Sequence, residues 1–371
     1  MSFRNLWLLG ATLASASTAA CSPALTDRQL VQRACESGSF RECAEVGQWY
    51  EDGNGLPTDT GRAQNYYEQA CSAGAAQACG RLGKMFMAGT GGRIDLQRAR
   101  ILLQGACSAG ELRSCTLAAI LLEEGKGGPK DADKAAKYYQ AGCNAGDQRA
   151  CGNLGAMFAE GKVLEKDDVF AVKLFRNSCD ASWGPACSNL GRMHEQGRGG
   201  LELSAVQAVA YYTKGCDLGA GSGCLLMAFA CEKGLGIESD SSRAAFYYVT
   251  ACEKGHELGC QFAGQSYEQG RGVKSSRERA LELYERGCDL AYGTACATAA
   301  GYYEQGHAQP SARAHYFWDK ACTYDHAMSC IKLGEVLKHA VPPDNARAQT
   351  LFARACQLGE QLGCAAGDGP R

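Results

Sequence analysis

Apolar residues fall along the chain in two helical stripes that return about every 36 residues. The stripes align on paired cysteines eight positions apart, so each period reads as two helices, A and B. Helix B precedes the first cysteine. It opens at a cap-forming residue twelve positions before that cysteine: Asp59, Asp95, Asp131, Asp167, Ser204, Asp240, Ser276 or Asp344, with Pro310-Ser311 as the deviation. Eight before the cysteine every copy has alanine, from Ala63 to Ala348, and large residues follow one turn later, as in Tyr66-Tyr67, Leu102-Leu103, Tyr211-Tyr212 and Phe317-Trp318. Small against large at helical spacing predicts closely interlocked helices. Three residues after the first cysteine a glycine stops helix B (Gly38, Gly74, Gly110, Gly146, Gly219, Gly255, Gly359), replaced by Ser182, Ala291 and Asp325 in three copies.

Helix A is expected to run from the second cysteine. Gly or Ala stands four after it (Gly47, Gly83, Ala119, Gly155, Gly191, Ala228, Gly264, Ala300, Gly334), where two helices can approach closely. A glycine ten after it, from Gly53 to Gly306, ends the helix. The array so defined covers residues 27–365, a lone B-type helix capped by the Thr26-x-x-Gln29 box and then nine A/B pairs, with 366–371 as a tail.

Of 22 cysteines, 20 form the spaced pairs: Cys35–Cys43, Cys71–Cys79, Cys107–Cys115, Cys143–Cys151, Cys179–Cys187, Cys216–Cys224, Cys252–Cys260, Cys288–Cys296, Cys322–Cys330 and Cys356–Cys364. That density is hard to reconcile with a reducing cytosol and is expected of an exported disulfide protein. Residues eight apart in an unbroken helix lie about 12 Å apart, whereas a bridge spans at most about 7 Å between Cα atoms. Each bridge therefore requires the chain to turn at the glycine and staples the end of one helix B to the start of the next helix A. Cys21 and Cys231 are left over. Cys231 takes the slot seven after Cys224 that Tyr, Phe or Leu fills elsewhere, which reads as an inert buried thiol.

Residues 1–20 have the layout of an export signal: Arg4, the apolar run Leu6 to Leu13, then small residues. Thr18-Ala19-Ala20-Cys21 resembles a lipoprotein cleavage box, which implies that Cys21 becomes the acylated first residue, with 21–26 as a short tether. Ser22 after it looks like bacterial outer-membrane sorting. The net charge of −2 offers no global attraction for nucleic acid or anionic lipid, so membrane contact is expected through the N-terminal lipid alone.

The Leu-Gly-x-Met-Phe/His cores (Leu82 to Phe86, Leu154 to Phe158, Leu190 to His194), the Glu51-Asp52-Gly53-Asn54-Gly55 type of turn and the Arg62 to Tyr67 type of run resemble Sel1-like repeats. With cysteines eight apart, the sequence resembles the Helicobacter cysteine-rich proteins. The resemblance implies an all-α, right-handed superhelical solenoid of α/α hairpins related to tetratricopeptide repeats, one disulfide per repeat, serving as an interaction scaffold. It also implies an alternative, penicillin binding or weak β-lactam hydrolysis.

A serine β-lactamase needs Ser-x-x-Lys with Ser-Asp-Asn and Lys-Thr-Gly elements. Ser329-Cys330-Ile331-Lys332 is the one Ser-x-x-Lys, it straddles a structural cysteine, and neither supporting element exists, so no catalytic residue is assigned. The six histidines are scattered without ligand spacing, and no metal or cofactor is expected. Function is expected on the outward stripe of helix A, two, five and nine after each second cysteine. Most of these positions are polar, but Leu226, Phe229 and Phe262 are not, and Leu117 and Ile120 make a smaller apolar patch. A monomer that takes a protein or peptide on this stripe is the expected form, a groove if the patch is open and plain packing if local rotation buries it.

Overall fold

A computed structural model describes residues 27–54, 56–305, 311–340 and 342–367. The expected signal, Cys21, Thr26, Gly306, His307 and Pro310 lie outside them. The chain divides into two compact units, residues 1–109 and 110–371. In the first, α1 (Asp27–Glu36) precedes two A/B hairpins, α2 (Phe40–Asp52) with α3 (Thr60–Ser72) and α4 (Ala76–Ala88) with α5 (Leu96–Ser108). In the second, the hairpins are α6 (Leu112–Glu124) with α7 (Ala132–Asn144), α8 (Gln148–Glu160) with α9 (Asp168–Asp180), α10 (Gly184–Gln196) with α11 (Ala205–Asp217), and α12 (Gly221–Lys233) with α13 (Ser241–Glu253). They continue as α14 (Glu257–Gln269) with α15 (Arg277–Asp289), α16 (Gly293–Glu304) with α17 (Ala312–Thr323), and α18 (Ala327–Lys338) with α19 (Asn345–Gln357), closed by the short α20 (Gln361–Gly367). Among the described residues there is no strand. The molecule is an all-α solenoid of tandem helix pairs with a disulfide in each repeat.

Local chemistry sets the helix ends. Asp59, Asp95, Asp131, Asp167, Ser204, Asp240, Ser276 and Asp344 each accept a backbone N–H from the first turn of their B helix. Where the period breaks, Ser311 takes the role and α17 is one residue shorter. The A helices α2 to α14 end at a left-handed glycine. The stop after the first cysteine is left-handed in every described copy, including Ser182, Ala291 and Asp325 at φ 68°, 64° and 63°.

Helix A begins three residues before its second cysteine rather than at it, as at Ala76 before Cys79. The connection Ala73-Gly74-Ala75 reverses the chain in three residues, so both cysteines sit on helices. Nine bridges of the expected pairing span Cα–Cα distances of 4.4 to 4.7 Å. Cys107 and Cys115 are also disulfide-bonded. The chain end differs from a simple tail: the final bridge, Cys356–Cys364, holds α20 as the first turns of one more A helix.

Within each hairpin the nine alanines of helix B are at most 3 % exposed. Their partners are the small residues of helix A. A Cβ added to Gly191 would lie 3.0 Å from the Ala208 carbonyl and 2.6 Å from the Tyr212 ring. The buried Tyr of helix B therefore lies flat on the helix A backbone and sends its hydroxyl to a Glu at the end of that helix: Tyr67 to Glu51, Tyr139 to Glu123, Tyr212 to Glu195, Tyr248 to Glu232 and Tyr284 to Glu268, at 2.6 to 3.0 Å. Successive hairpins are locked at the loops. Gly272, at φ +71°, sits so near the previous B helix that a Cβ would come 2.0 Å from the Ser241 carbonyl.

Candidate functional site: a groove along the A helices

Starting each A helix three residues early adds a turn to its outward face. Positions −2, +2, +5 and +9 relative to the second cysteine share that face, spaced by four, three and four residues. In the second unit this face lines three cavities. The largest, about 620 Å³, is bordered by Ile120 and Glu124 of α6, Arg149 and Asn153 of α8, Trp183 at the cap of α10, Pro185 and Asn189 of α10, and Ser222 of α12. One of about 100 Å³ shares Asn189 and adds Arg192 and Gln196 of α10 with Ala156 and Glu160 of α8. The third, about 170 Å³ and mainly apolar, is lined by Tyr212 and Val209 of α11 and by Leu226, Phe229 and Lys233 of α12. Asn189 borders two of the cavities, and Ser222 of the largest stands one turn from Leu226 of the third on α12, so the three lie in a row along the A helices from α6 to α12, hereafter the α6–α12 groove.

The sequence-expected residues distribute as follows. Leu226 and Phe229 are half-buried and line the apolar cavity. Phe262 is half-buried too, but its ring sits edge-on to Phe229 at 5.1 Å and stacks on Tyr248 at 5.3 Å, so it braces the wall instead of lining the cavity. Ile120 lines the large cavity, and Leu117 is half-buried and lines none of the three. Leu226 and Phe229 thus pack on the core with one side and border the apolar cavity with the other.

Arg149, Trp183, Pro185 and Ser222 were missed, because the −2 and −4 positions precede the expected helix start. Their signal was the absence of any breaker between the stop glycine and the second cysteine. Trp183 lies against Gly152, where a Cβ would meet its ring at 1.9 Å. Burial, then the bonded carboxylate, pushes the Tyr139 and Tyr212 phenols far above their usual range, so these groups stay neutral donors to Glu123 and Glu195.

Nothing in the rest of the described chain assembles a reaction centre from the motifs noted in the sequence. Ser329 is 3 % exposed and its hydroxyl is 2.9 Å from His326 Nδ1, while burial pushes that imidazole below its ordinary range. Lys332 points elsewhere, to Glu304 at 2.5 Å, with its ammonium 4.9 Å over the Trp318 ring. Cys231 is a buried free thiol, and burial pushes its pKa up. Among the described residues no group of three or more His, Cys, Asp or Glu is placed to hold a metal ion, and no helix is long and apolar enough to cross a membrane.

The Sel1 repeat model matches residues 43–74, 76–111, 113–147, 148–182, 184–219, 221–256, 258–292 and 327–360. Among solved structures, the chain is similar to a protective antigen of uropathogenic Escherichia coli with an SLR fold, at 22 % identity and a TM-score of 0.52, over 91 % of this chain and 73 % of that one. A Sel1 repeat protein from Oxalobacter formigenes matches at 22 % identity and a TM-score of 0.47, over 66 % and 96 % of the two chains. Helicobacter pylori cysteine rich protein B matches at 26 % identity and a TM-score of 0.30, over 37 % and 97 %. No curated protein matches the chain.

Proposed function

Because the chain belongs to the Sel1 repeat family, whose members generally serve as protein-interaction scaffolds, we propose that it is an exported, lipid-anchored scaffold that holds a protein or peptide in the α6–α12 groove. The observation that carries this reading is the coincidence of the outward A-helix stripe with three neighbouring cavities, which lets one extended segment touch four successive repeats. Disulfides in each repeat belong to an oxidising, extracytoplasmic compartment. The apolar run before Cys21 and the lone cysteine itself support acylation there, at the outer membrane.

A photo-crosslinking residue placed at Phe229, in the groove, and at Phe246, which is 63 % exposed on α13, tests the site. Capture of a discrete envelope protein at Phe229 and not at Phe246 is the expected result. Equal capture at both positions sets the groove aside. For the anchor, mass spectrometry of the mature N-terminus should find acylated Cys21, and Cys21→Ala should move the protein to the soluble fraction.

A further inference from the structure

Charges in the groove are unevenly matched. Each carboxylate on it has a partner: Glu123 accepts from Tyr139, Glu195 accepts from Tyr212, Glu124 pairs with Lys126 at 2.8 Å, and Glu160 pairs with Lys162 at 3.3 Å. The cations divide. Arg198 is committed to Asp168 and Lys233 lies 6.0 Å over the Phe229 ring, while Arg149 on α8 and Arg192 on α10 border the groove and, among the described residues, no carboxylate pairs with either. Other arginines on the repeats do find a carboxylate, as Arg81 finds Glu51, Arg271 finds Glu232 and Arg354 finds Asp325. The half-buried amides of Asn153, which also bonds the Tyr139 hydroxyl, and Asn189, at the same position of consecutive repeats, line the largest cavity with Arg149, and the apolar cavity of Leu226 and Phe229 follows on α12.

We propose that the occupant of this groove is an internal, extended peptide segment with acidic side chains over α8 and α10 and a bulky apolar side chain in the α11/α12 cavity. The inference rests on the groove reading above. Unpaired guanidiniums flanked by amide donors suit carboxylates, which accept several N–H bonds at once. An extended segment follows because the sites lie in a row on successive repeats. Consecutive A helices α8, α10 and α12 touch, which puts their axes about 8–10 Å apart. At about 3.3 Å per extended residue, the acidic and apolar side chains are separated by about three positions.

The test uses the full chain with its bridges intact and terminally blocked decapeptides of glycine and serine that carry two glutamates and one leucine at varied spacing. A parallel set has lysine for glutamate, and a third leaves the C-terminal carboxyl free. The glutamate set should bind, best near a three-residue spacing and less well with added salt, and the lysine set should not. Arg149→Ala with Arg192→Ala should weaken glutamate-peptide binding roughly tenfold or more with an unchanged melting temperature. Phe229→Ser should abolish the dependence on leucine and retain the preference for glutamate. Lysine peptides binding as well as glutamate peptides, or indifference to the arginine substitutions, overturns the acidic assignment and leaves the groove reading standing. A more than tenfold gain on freeing the C-terminal carboxyl assigns the guanidiniums to a chain terminus and overturns the internal segment. No binding in any set overturns both readings.

Discussion

The Tyr212 hydroxyl donates a 2.6 Å hydrogen bond to the Glu195 carboxylate across the α10/α11 hairpin, and the chain carries its own control for that contact. Where the helix B residue has no hydroxyl, the position on the partner helix is Met87 opposite Leu103, Ala159 opposite Phe175 and Lys338 opposite Phe352, while Glu304 opposite Trp318 is taken up by Lys332 instead. Every phenol at this position has its carboxylate. Tyr212→Phe and Glu195→Ala should each destabilise the fold, and the double variant should recover part of the loss, with a coupling of about 1–2 kcal/mol in a double-mutant cycle read by chemical denaturation. Additive effects would show that the pair is incidental.

The same pairs set an alkaline limit. Burial, then the bonded carboxylate, raises the Tyr67, Tyr139, Tyr212, Tyr248 and Tyr284 phenols far above their ordinary range. An unfolded tyrosine ionises near pH 10, so above that pH the folded state holds more protons than the unfolded one. The contribution is complete below about pH 10 and is lost as pH rises beyond it. The melting temperature should fall steeply above about pH 10, with phenolate absorbance from these tyrosines appearing only as the chain unfolds.

Each bridge closes a nine-residue loop, worth about 2.5 kcal/mol in the chain-entropy estimate. Cys252→Ala together with Cys260→Ala should lower stability by about that amount, and full reduction should collapse the melting transition. A melting curve unchanged in reductant would contradict a stapled array.

Ala291 holds the left-handed stop at φ 64°, where seven other copies have glycine. Space is not the reason for glycine: a Cβ built on Gly255 meets nothing within 4 Å. Backbone strain is, and Ala291→Gly should stabilise by about 1 kcal/mol in denaturant titration. Asp325→Gly should gain less, because it removes the 2.9 Å ion pair with Arg354.

Gly272 and Gly270 are both left-handed, at φ +71° and +68°, yet only Gly272 is pressed against the preceding hairpin. Gly272→Ala should therefore cost clearly more than Gly270→Ala, by about 1–3 kcal/mol for the overpacked contact. Equal losses would mean that the loop yields without strain.

What the sequence made legible is what short-range chemistry decides. Asp59 caps its helix from three residues away, Gly89 ends one from a single dihedral, and Cys71 needs only a reversal to reach Cys79. The groove was half legible. Its +2, +5 and +9 positions followed from helical spacing, but Arg149 and Ser222 fell in a turn that was read as connection. Trp183 was hidden for another reason: its place depends on Gly152 in the preceding repeat, and contacts between repeats leave no mark within either one. The matching of Tyr212 with Glu195 was written in the chain as a co-occurrence at fixed offsets, yet nothing in either residue alone announces it.

That matching bears on how such a chain can grow. Phenol and carboxylate belong to one hairpin, whereas the two halves of each bridge belong to neighbouring hairpins. A duplication or deletion of one period with its endpoints between the paired cysteines keeps every phenol with its own acid and rejoins equivalent bridge halves. The same event with endpoints in the loop between helices A and B can set Tyr212 opposite Ala159 and strand a buried hydroxyl. The disulfide corner is thus the recombination point at which ancestral copies could be added, and at which a designer could lengthen the molecule with least loss.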